Sequence, residues 1–280
     1  MTEQAAGAAT PHPQPLSGPE PRSAPELDEW IEKVMARTNF GGLTRREYRY
    51  GDHAEQVADL WMPESGTYRR LVLLVHGGGF ARHFDRTLMA AAAADLTRRG
   101  FAVWNTEYRR TDCGGGPLTS PLDVVSSLER MRSELQPSRR PLVLGHSAGG
   151  YLALRMTRLP VVAGVIALGA VCDLRANAMA PDDEYARFMG GLPGEVPGLY
   201  QAADLMTSPG TACPQFLLWG ENEQPHRIAE NQRLADAVRE ARGRVTEEEI
   251  PATGHFGFLD PRSLAWRRAT GRLEEMHTHD

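Results

Sequence analysis

Apolar and polar residues follow two periods along this chain, and these periods predict its strands and helices. Short, nearly continuous apolar runs recur eight times, a pattern typical of strands buried in a sheet. The predicted strands are residues 45–50, 56–61, 71–75, 102–108, 141–144, 161–168, 215–219 and 244–250. Segments with apolar residues three and four positions apart lie before and between these runs. The predicted helices are residues 26–37, 86–99, 121–135, 150–159, 229–241 and 261–275.

The order of these elements favours one class of fold. From residue 71 onward, strands alternate with helices, and repeated βαβ units build a parallel sheet covered by helices. We therefore predict an α/β protein with a mostly parallel, eight-stranded sheet, in which the first two, more polar strands form an antiparallel edge. Residues 174–212 interrupt the alternation with short amphipathic pieces and four prolines. This segment is predicted to form a small cap over the carboxyl ends of the strands.

The first 25 residues differ in composition from the rest. Six prolines lie at positions 11, 13, 15, 19, 21 and 25, and few neighbouring side chains could join a core. The pattern predicts a disordered or extended tail that takes no part in the chemistry. The remaining residues, 26–280, are long and apolar enough for a single domain that includes the cap.

Charge and cysteine content exclude several classes of function. The net charge is −5, so the chain lacks the basic surplus of nucleic-acid-binding proteins. No apolar stretch approaches the roughly 20 residues that span a bilayer, and the first residues do not resemble a secretory signal. The three cysteines, Cys113, Cys172 and Cys213, lack zinc-site spacing. We expect a cytoplasmic protein that acts on a small molecule without metal, cofactor, nucleic acid or membrane.

One serine lies where a strand is predicted to turn into a helix. The sequence Gly145-His146-Ser147-Ala148-Gly149 follows the strand at 141–144 and precedes the helix at 150–159. A sharp turn of this kind leaves no room for side chains at its flanks, which accounts for the two glycines, and it exposes the serine hydroxyl. Ser147 is therefore the predicted nucleophile.

A second glycine-rich segment follows the strand at 71–75. His76-Gly77-Gly78-Gly79-Phe80 would place backbone N–H groups beside the serine, where acyl transfer develops negative charge on oxygen. We predict an oxyanion hole formed by Ala148 with Gly78 or Gly79, and we expect His76 to brace the loop. A glycine-rich turn without a ligand is the alternative.

A serine nucleophile needs a base and an acid, which should follow later strands. His255 lies in Thr253-Gly254-His255-Phe256, directly after the last predicted strand, and is the predicted base. The loop after the strand at 215–219 contains Glu221 and Glu223 but no aspartate. Glu223 is favoured as the acid because its position, three residues after Gly220, leaves room to turn back. Glu221 stays open.

Several side chains near these motifs are candidates for substrate contact. Phe80, His146 and Phe256 flank the predicted oxyanion loop, nucleophile and base. Tyr185 and Phe188 of the cap could add apolar walls. Ordinary core packing is the alternative for each aromatic residue.

Taken together, these residues resemble the α/β-hydrolase fold over about residues 45–270. Within that fold they are similar to the branch with an HGG(G)-type oxyanion loop, which includes carboxylesterases, hormone-sensitive-lipase-like enzymes and arylformamidase (kynurenine formamidase)-like hydrolases. The segments that carry the likeness to arylformamidases are residues 76–80, 107–110, 145–150, 220–232 and 254–256. Two features depart from that group: the acid is Glu rather than the commoner Asp, and Phe80 replaces a frequent Trp.

The resemblance implies a serine hydrolase that cleaves a small carboxylic ester, arylformamide or other amide through an acyl-enzyme. Two alternatives remain open. The same triad could serve a thioesterase, cyclase or acyltransferase of a biosynthetic pathway, in which a nucleophile other than water resolves the acyl-enzyme. The chain could also be a non-catalytic binding protein with this fold, although a serine, a histidine and a carboxylate all remain in place.

Overall fold

Eight strands form one twisted sheet in the computed structural model, which describes residues 14–16 and 19–278. In chain order the strands are β1 Leu43–Arg49, β2 Val57–Pro63, β3 Leu71–Val75, β4 Ala102–Thr106, β5 Leu142–His146, β6 Gly164–Leu168, β7 Gln215–Gly220 and β8 Val245–Ile250. Every predicted strand is present, with its ends moved by at most three residues. Apolar runs of this length thus identified the sheet correctly.

The sheet has the order β1-β2-β4-β3-β5-β6-β7-β8. β1 pairs with β2 and β2 pairs with β4 in antiparallel fashion, whereas all other neighbours are parallel. The predicted fold class and the antiparallel position of the first two strands are confirmed. The prediction that both strands are polar is wrong for β2, whose first five residues are buried because it lies between β1 and β4.

Helices cover both faces of the sheet. They are α1 Ala24–Ala36, α2 Ala90–Arg98, α3 Thr119–Leu135, α4 Ala148–Arg155, α5 Leu174–Asn177, α6 Glu184–Met189, α7 Pro197–Ala203, α8 Pro225–Glu240 and α9 Leu264–Thr278. One apolar core joins α3, α4, α8 and the three short cap helices α5–α7, and a second joins α1, α2 and α9. Leu73 of β3 enters the first core and Leu74 the second, as the two-residue period of a strand requires.

The first helix begins two residues earlier than predicted. Ser23 caps α1 by accepting a hydrogen bond from the N–H of Glu26, and Pro25 fits the first turn, where a missing N–H costs nothing. The proline pattern that predicted a tail through residue 25 therefore includes a helix start. Residues 1–13, 17 and 18 of that predicted tail lie outside the described residues.

No helix within residues 14–16 and 19–278 combines the length and apolarity needed to cross a bilayer.

Candidate active site

The strand order brings the predicted site residues to one edge of the sheet. β3, β5, β7 and β8 are all parallel, so the loops that follow them meet at their carboxyl ends. The loops after β7 and β8 are also tied together by backbone hydrogen bonds, from Glu221 N–H to the Ile250 carbonyl (2.9 Å) and from Asn222 N–H to the Thr253 carbonyl (2.8 Å). These bonds fix the loop after β7, which carries Glu221 and Glu223, against the loop after β8, which carries His255.

Ser147 lies in the sharp turn between β5 and α4. Its backbone has φ 55° and ψ −119°, a conformation that residues other than glycine rarely adopt. The turn is crowded, since a Cβ on Gly149 would lie 2.2 Å from the carbonyl oxygen of His76. Glycine at this position therefore allows β3 and α4 to approach closely enough for the turn to form.

Ser147, His255 and Glu223 form a continuous chain of hydrogen bonds. The distance from Ser147 Oγ to His255 Nε2 is 3.0 Å, and that from His255 Nδ1 to Glu223 Oε2 is 2.7 Å. Glu221 is exposed instead, and its carboxylate accepts a hydrogen bond from the N–H of Ala252. The structure thus places Glu223, the favoured of the two candidates, next to the imidazole.

Glu223 is held in its ionised form. Burial alone would raise its pKa, but the hydrogen bond from His255, the positive charge that His255 can carry and the N–H of Gln224 outweigh burial and lower the pKa. A carboxylate in this state can orient the imidazole and stabilise its protonated form.

Gly169, just after β6, gives this pair its space and was not singled out by sequence reasoning. It has φ 50°, and a Cβ there would lie 3.0 Å from Glu223 Oε2 and 3.1 Å from His255 Nδ1. Any side chain would press on the hydrogen bond between them. A glycine directly after a buried strand is the signal that could have revealed it.

The predicted oxyanion loop lies beside the serine. Gly78 and Gly79 have φ values of 104° and 61°, and both border the same cavity as Ser147. Within the described residues, the N–H groups of Gly78, Gly79 and Ala148 donate no hydrogen bond to another group. They are therefore available to an oxygen atom of a bound molecule.

A buried ion network braces this loop from behind. His76 Nε2 contacts Glu107 Oε1 at 2.8 Å, its ring stacks on Tyr108, and Glu107 pairs with Arg110 at 3.0 Å. Arg110 also donates to the carbonyl of Phe84. Burial would raise the pKa of Glu107, but His76 and Arg110 hold it below its usual range. His76 thus lies in a bracing position, as expected.

His146 contacts the backbone of the candidate base. Its Nε2 donates to the carbonyl oxygen of His255 at 2.9 Å, and the two rings lie 4.7 Å apart. Burial, followed by the charge of His255, lowers the pKa of His146 to about 3, so its ring is neutral near pH 7. The ring borders the cavity, but its donor is already used to hold the loop, a role that sequence reasoning missed.

The prediction that Phe80 contacts the substrate is corrected by the structure. A φ of 66° turns its side chain inward, where it is fully buried and stacks on Phe188 of α6 with ring centroids 3.7 Å apart. It therefore joins the cap to the main core and does not border the cavity. Phe256 and Tyr185, by contrast, do border it.

The cavity at Ser147 has a volume of about 1010 Å³ and mixed walls. Apolar walls come from Leu27, Phe84, Leu88, Met179 and Phe256. Polar walls come from the segment before α1, from the cap and from the start of α8; they include Glu20, Arg22, Asp183, Glu184, His226 and Arg227. Nowhere in residues 14–16 and 19–278 do three His, Cys, Asp or Glu side chains form a metal-binding group.

A family-level comparison identifies the family to which this fold belongs. The model of a family described as alpha/beta hydrolase matches residues 72–265, well over half of the chain. The chain belongs to the alpha/beta hydrolase family. The matched segment contains the serine turn, the predicted oxyanion loop, Glu223 and His255.

Solved structures with the same fold include several esterases. Esterase B from Lactobacillus Rhamnosis (HN001) is 20% identical, with a TM-score of 0.71 over 90% of each chain. The same esterase inhibited with a C4-C4 SN3 tributyrin phosphonate gives a TM-score of 0.72 over 91% of each chain. A truncated carbohydrate esterase from gut microbiota is 17% identical, with a TM-score of 0.72 over 86% of this chain and 99% of that chain.

Curated relatives match a shorter part of this alpha/beta hydrolase. The non-reducing polyketide synthase mapC of Penicillium brevicompactum is 27% identical over 135 residues, which are 43% of this chain and 6% of that protein. The methylphloroacetophenone synthase of Cladonia uncialis is 30% identical over 129 residues, 41% of this chain and 5% of that protein. The matches therefore span only a small fraction of these much longer proteins.

The crowding at the serine turn predicts that adding one methyl group at Gly149 lowers the stability of the fold. Gly149→Ala should lower the free energy of unfolding by about 2 to 4 kcal/mol, because the new methyl group collides with the backbone of β3. Gly271→Ala in α9, where a Cβ meets nothing within 4 Å, is the control and should be neutral or stabilising. Urea unfolding of both variants measures the difference, and equal stabilities would refute the proposed crowding.

Proposed function

We propose that this alpha/beta hydrolase is a serine hydrolase that cleaves a small carboxylic ester through an acyl-enzyme on Ser147, with His255 as base and Glu223 as acid. One observation carries the proposal: the unbroken hydrogen-bond chain from Ser147 Oγ through His255 to Glu223, opening into a cavity large enough for a small molecule. Family membership and fold likeness to esterases support it.

The geometry supports a two-step reaction. His255 Nε2 takes the proton of Ser147 Oγ as that oxygen attacks the substrate carbonyl carbon, and His255 then gives the proton to the leaving alcohol or amine. Water, deprotonated by the same nitrogen, attacks the acyl-enzyme and releases the acid and Ser147. Glu223 keeps the Nδ1 proton in place and stabilises the imidazolium of each step.

Negative charge on the substrate oxygen would be held by backbone N–H groups. The amides of Ala148 and of Gly78 or Gly79 are free of protein partners among the described residues and lie beside the serine. Removing one oxyanion donor in other serine hydrolases costs about 3 to 4 kcal/mol of activation free energy. The buried network around Glu107 keeps the loop rigid, so little reorganisation accompanies the reaction.

An aryl formamide or other small amide is a substrate of the same proposal. The HGGG-type loop and the Glu107-Tyr108-Arg109-Arg110 segment support the arylformamidase-like branch, and the mixed polar and apolar walls of the cavity suit an aromatic substrate with polar substituents. The fold relatives named above favour an ester.

A second candidate forms the acyl-enzyme from an acyl thioester: a thioesterase would release the acyl group to water, whereas a cyclase or acyltransferase would pass it to another nucleophile. The local likeness to polyketide synthases, at 24 to 30% identity over 126 to 164 residues, favours this alternative. Free acid as the main product from an acyl thioester, in the presence of an alcohol acceptor, would exclude the cyclase and the acyltransferase, because water would then be the nucleophile that resolves the acyl-enzyme.

Hydrolysis of two acyl bonds tests the proposed function. The wild type and Ser147→Ala should be compared on p-nitrophenyl acetate and on an N-formyl aryl amine. We expect turnover by the wild type, a loss of about 10⁴-fold or more in kcat for Ser147→Ala, and a ratio of the two wild-type rates that separates an esterase from a formamidase. Unchanged turnover in the variant would contradict the proposal.

The two glutamates provide a matched pair for the acid assignment. Glu223→Gln should lower kcat by roughly 10²-fold or more, because the amide cannot stabilise the imidazolium of His255. Glu221→Gln should leave kcat within about twofold, because Glu221 faces solvent and Ala252. Steady-state kinetics on p-nitrophenyl acetate measure both, and the opposite order would show that the acid is Glu221.

The position of Glu184 beside the proposed oxyanion loop predicts that kcat/KM depends on pH. Its Oε2 would lie 2.2 Å from a Cβ on Gly79, so the carboxyl touches the proposed oxyanion loop. The pKa of Glu184 is raised to about 7, chiefly by burial. The charges of Asp183 and Asp112 also raise this pKa, whereas the charge of Arg187 lowers it. As the pH rises through this value the group becomes charged, and a negative charge here opposes charge on the substrate oxygen.

Glu184→Gln isolates this effect. The ratio of kcat/KM for the variant to that of the wild type, on a neutral ester, should be near one at pH 6 and rise to roughly threefold to tenfold at pH 8. Taking a ratio cancels the contribution of His255, which both proteins share. Asp182→Asn, an exposed neighbour, is the control. A ratio that stays constant with pH would disprove the effect.

A further inference from the structure

The segment before α1, residues 19–23, is here named the N-terminal arm. We infer that this arm is part of the active site and that Glu20 is a positioning residue, which holds the loop of His255 in the geometry that the reaction requires. The inference rests on the proposed function, because it assigns a role to a contact with the proposed base.

The Glu20 carboxylate binds the backbone on the far side of His255. Its Oε2 accepts a hydrogen bond from the N–H of Phe256 at 3.2 Å, and its Oε1 accepts one from the N–H of Gly257 at 3.1 Å. On the near side, a Cβ on Gly254 would lie 2.3 Å from Glu20 Oε2. One carboxylate therefore lies across the backbone from residue 254 to residue 257.

These contacts satisfy groups that the local structure leaves without partners. His255 begins a single 3₁₀ turn, His255–Leu259, and the first N–H groups of a helical turn have no acceptor within it. Glu20 supplies two charged acceptor atoms for them. Such charge-assisted hydrogen bonds are stronger than neutral ones, so the carboxylate fixes the start of the turn and with it the backbone of His255.

His255 is held from several directions at once. His146 binds its carbonyl oxygen, Glu223 binds its Nδ1, and Glu20 binds the two peptide groups that follow it. The first two contacts orient the ring and one peptide plane, whereas the contact of Glu20 fixes where the loop lies. Because Nε2 must stay within hydrogen-bond reach of Ser147 Oγ, a shift of about 1 Å can cost roughly 10²-fold in rate.

The N-terminal arm is itself well anchored. The N–H of Arg22 donates to Glu26 of α1 at 2.8 Å, and Leu27 of α1 is buried in the second core. Further upstream, the N–H of Leu16 donates to Asp260 at 2.9 Å, just after the turn that carries His255. Glu20, Arg22 and Ser23 also border the cavity. The functional domain would therefore begin before residue 26, contrary to the expectation that the first 25 residues carry no chemistry.

Steady-state kinetics of full-length Glu20 variants test the inference, with Glu29→Gln as control. Glu29 lies on α1, is exposed and, among the described residues, forms an ion pair with Lys33 alone. On p-nitrophenyl acetate, Glu20→Ala should lower kcat about 10- to 100-fold, with KM within about threefold and an unfolding midpoint close to that of the control. Glu20→Gln keeps one acceptor oxygen and should recover part of the loss.

A double variant separates positioning from general stability. If Glu20 acts through His255, adding Glu20→Ala to His255→Ala should cause no further loss, whereas an independent structural role would give additive losses. Turnover of Glu20→Ala equal to that of Glu29→Gln, or additive losses, would overturn the inference. If Glu20→Ala is unstable, Glu20→Gln decides by the same comparison. An inactive wild type would instead refute the proposed function.

Discussion

The sharp turn at Ser147 is the constraint on which the rest of the site depends. A residue in such a strained conformation costs roughly 1 to 3 kcal/mol and persists only where its surroundings enforce it. Here the N–H of Ser147 donates to the carbonyl of Leu168 on β6, and its own carbonyl accepts from Val171 and Tyr151. The parallel sheet thus fixes the turn, and the turn places Ser147 at the wall of the cavity, directly before α4.

Two buried carboxylates of similar chemistry serve different purposes on either side of this turn. Glu107 pairs with His76, and Glu223 pairs with His255. His76 is fully buried, and both of its ring nitrogens contact acceptors of its own loop and of Glu107, so it holds the backbone. His255 leaves Nε2 directed at Ser147 Oγ. Surroundings rather than residue type therefore distinguish the brace from the proposed base.

The fold and much of the candidate site follow from local sequence patterns. Short apolar runs marked the strands, and strand-end motifs marked Ser147, the predicted oxyanion loop and His255, because parallel strands bring such ends together. For Phe80, the sequence left both substrate contact and core packing open; the structure has it in the core, because its positive φ, which is not readable from sequence, turns the side chain inward. The contacts of Glu20 and Gly169 with the His255 loop were missed because they join segments remote in the chain, which no local period encodes.

Covalent labelling tests the central claim, an acyl-accepting serine activated by His255, most directly. A fluorophosphonate should form one covalent adduct with the wild type, and peptide mass spectrometry should map this adduct to Ser147. The adduct should be absent from Ser147→Ala and should form far more slowly in His255→Ala. A folded wild-type protein that remains unlabelled, or an adduct on another residue, would contradict the account.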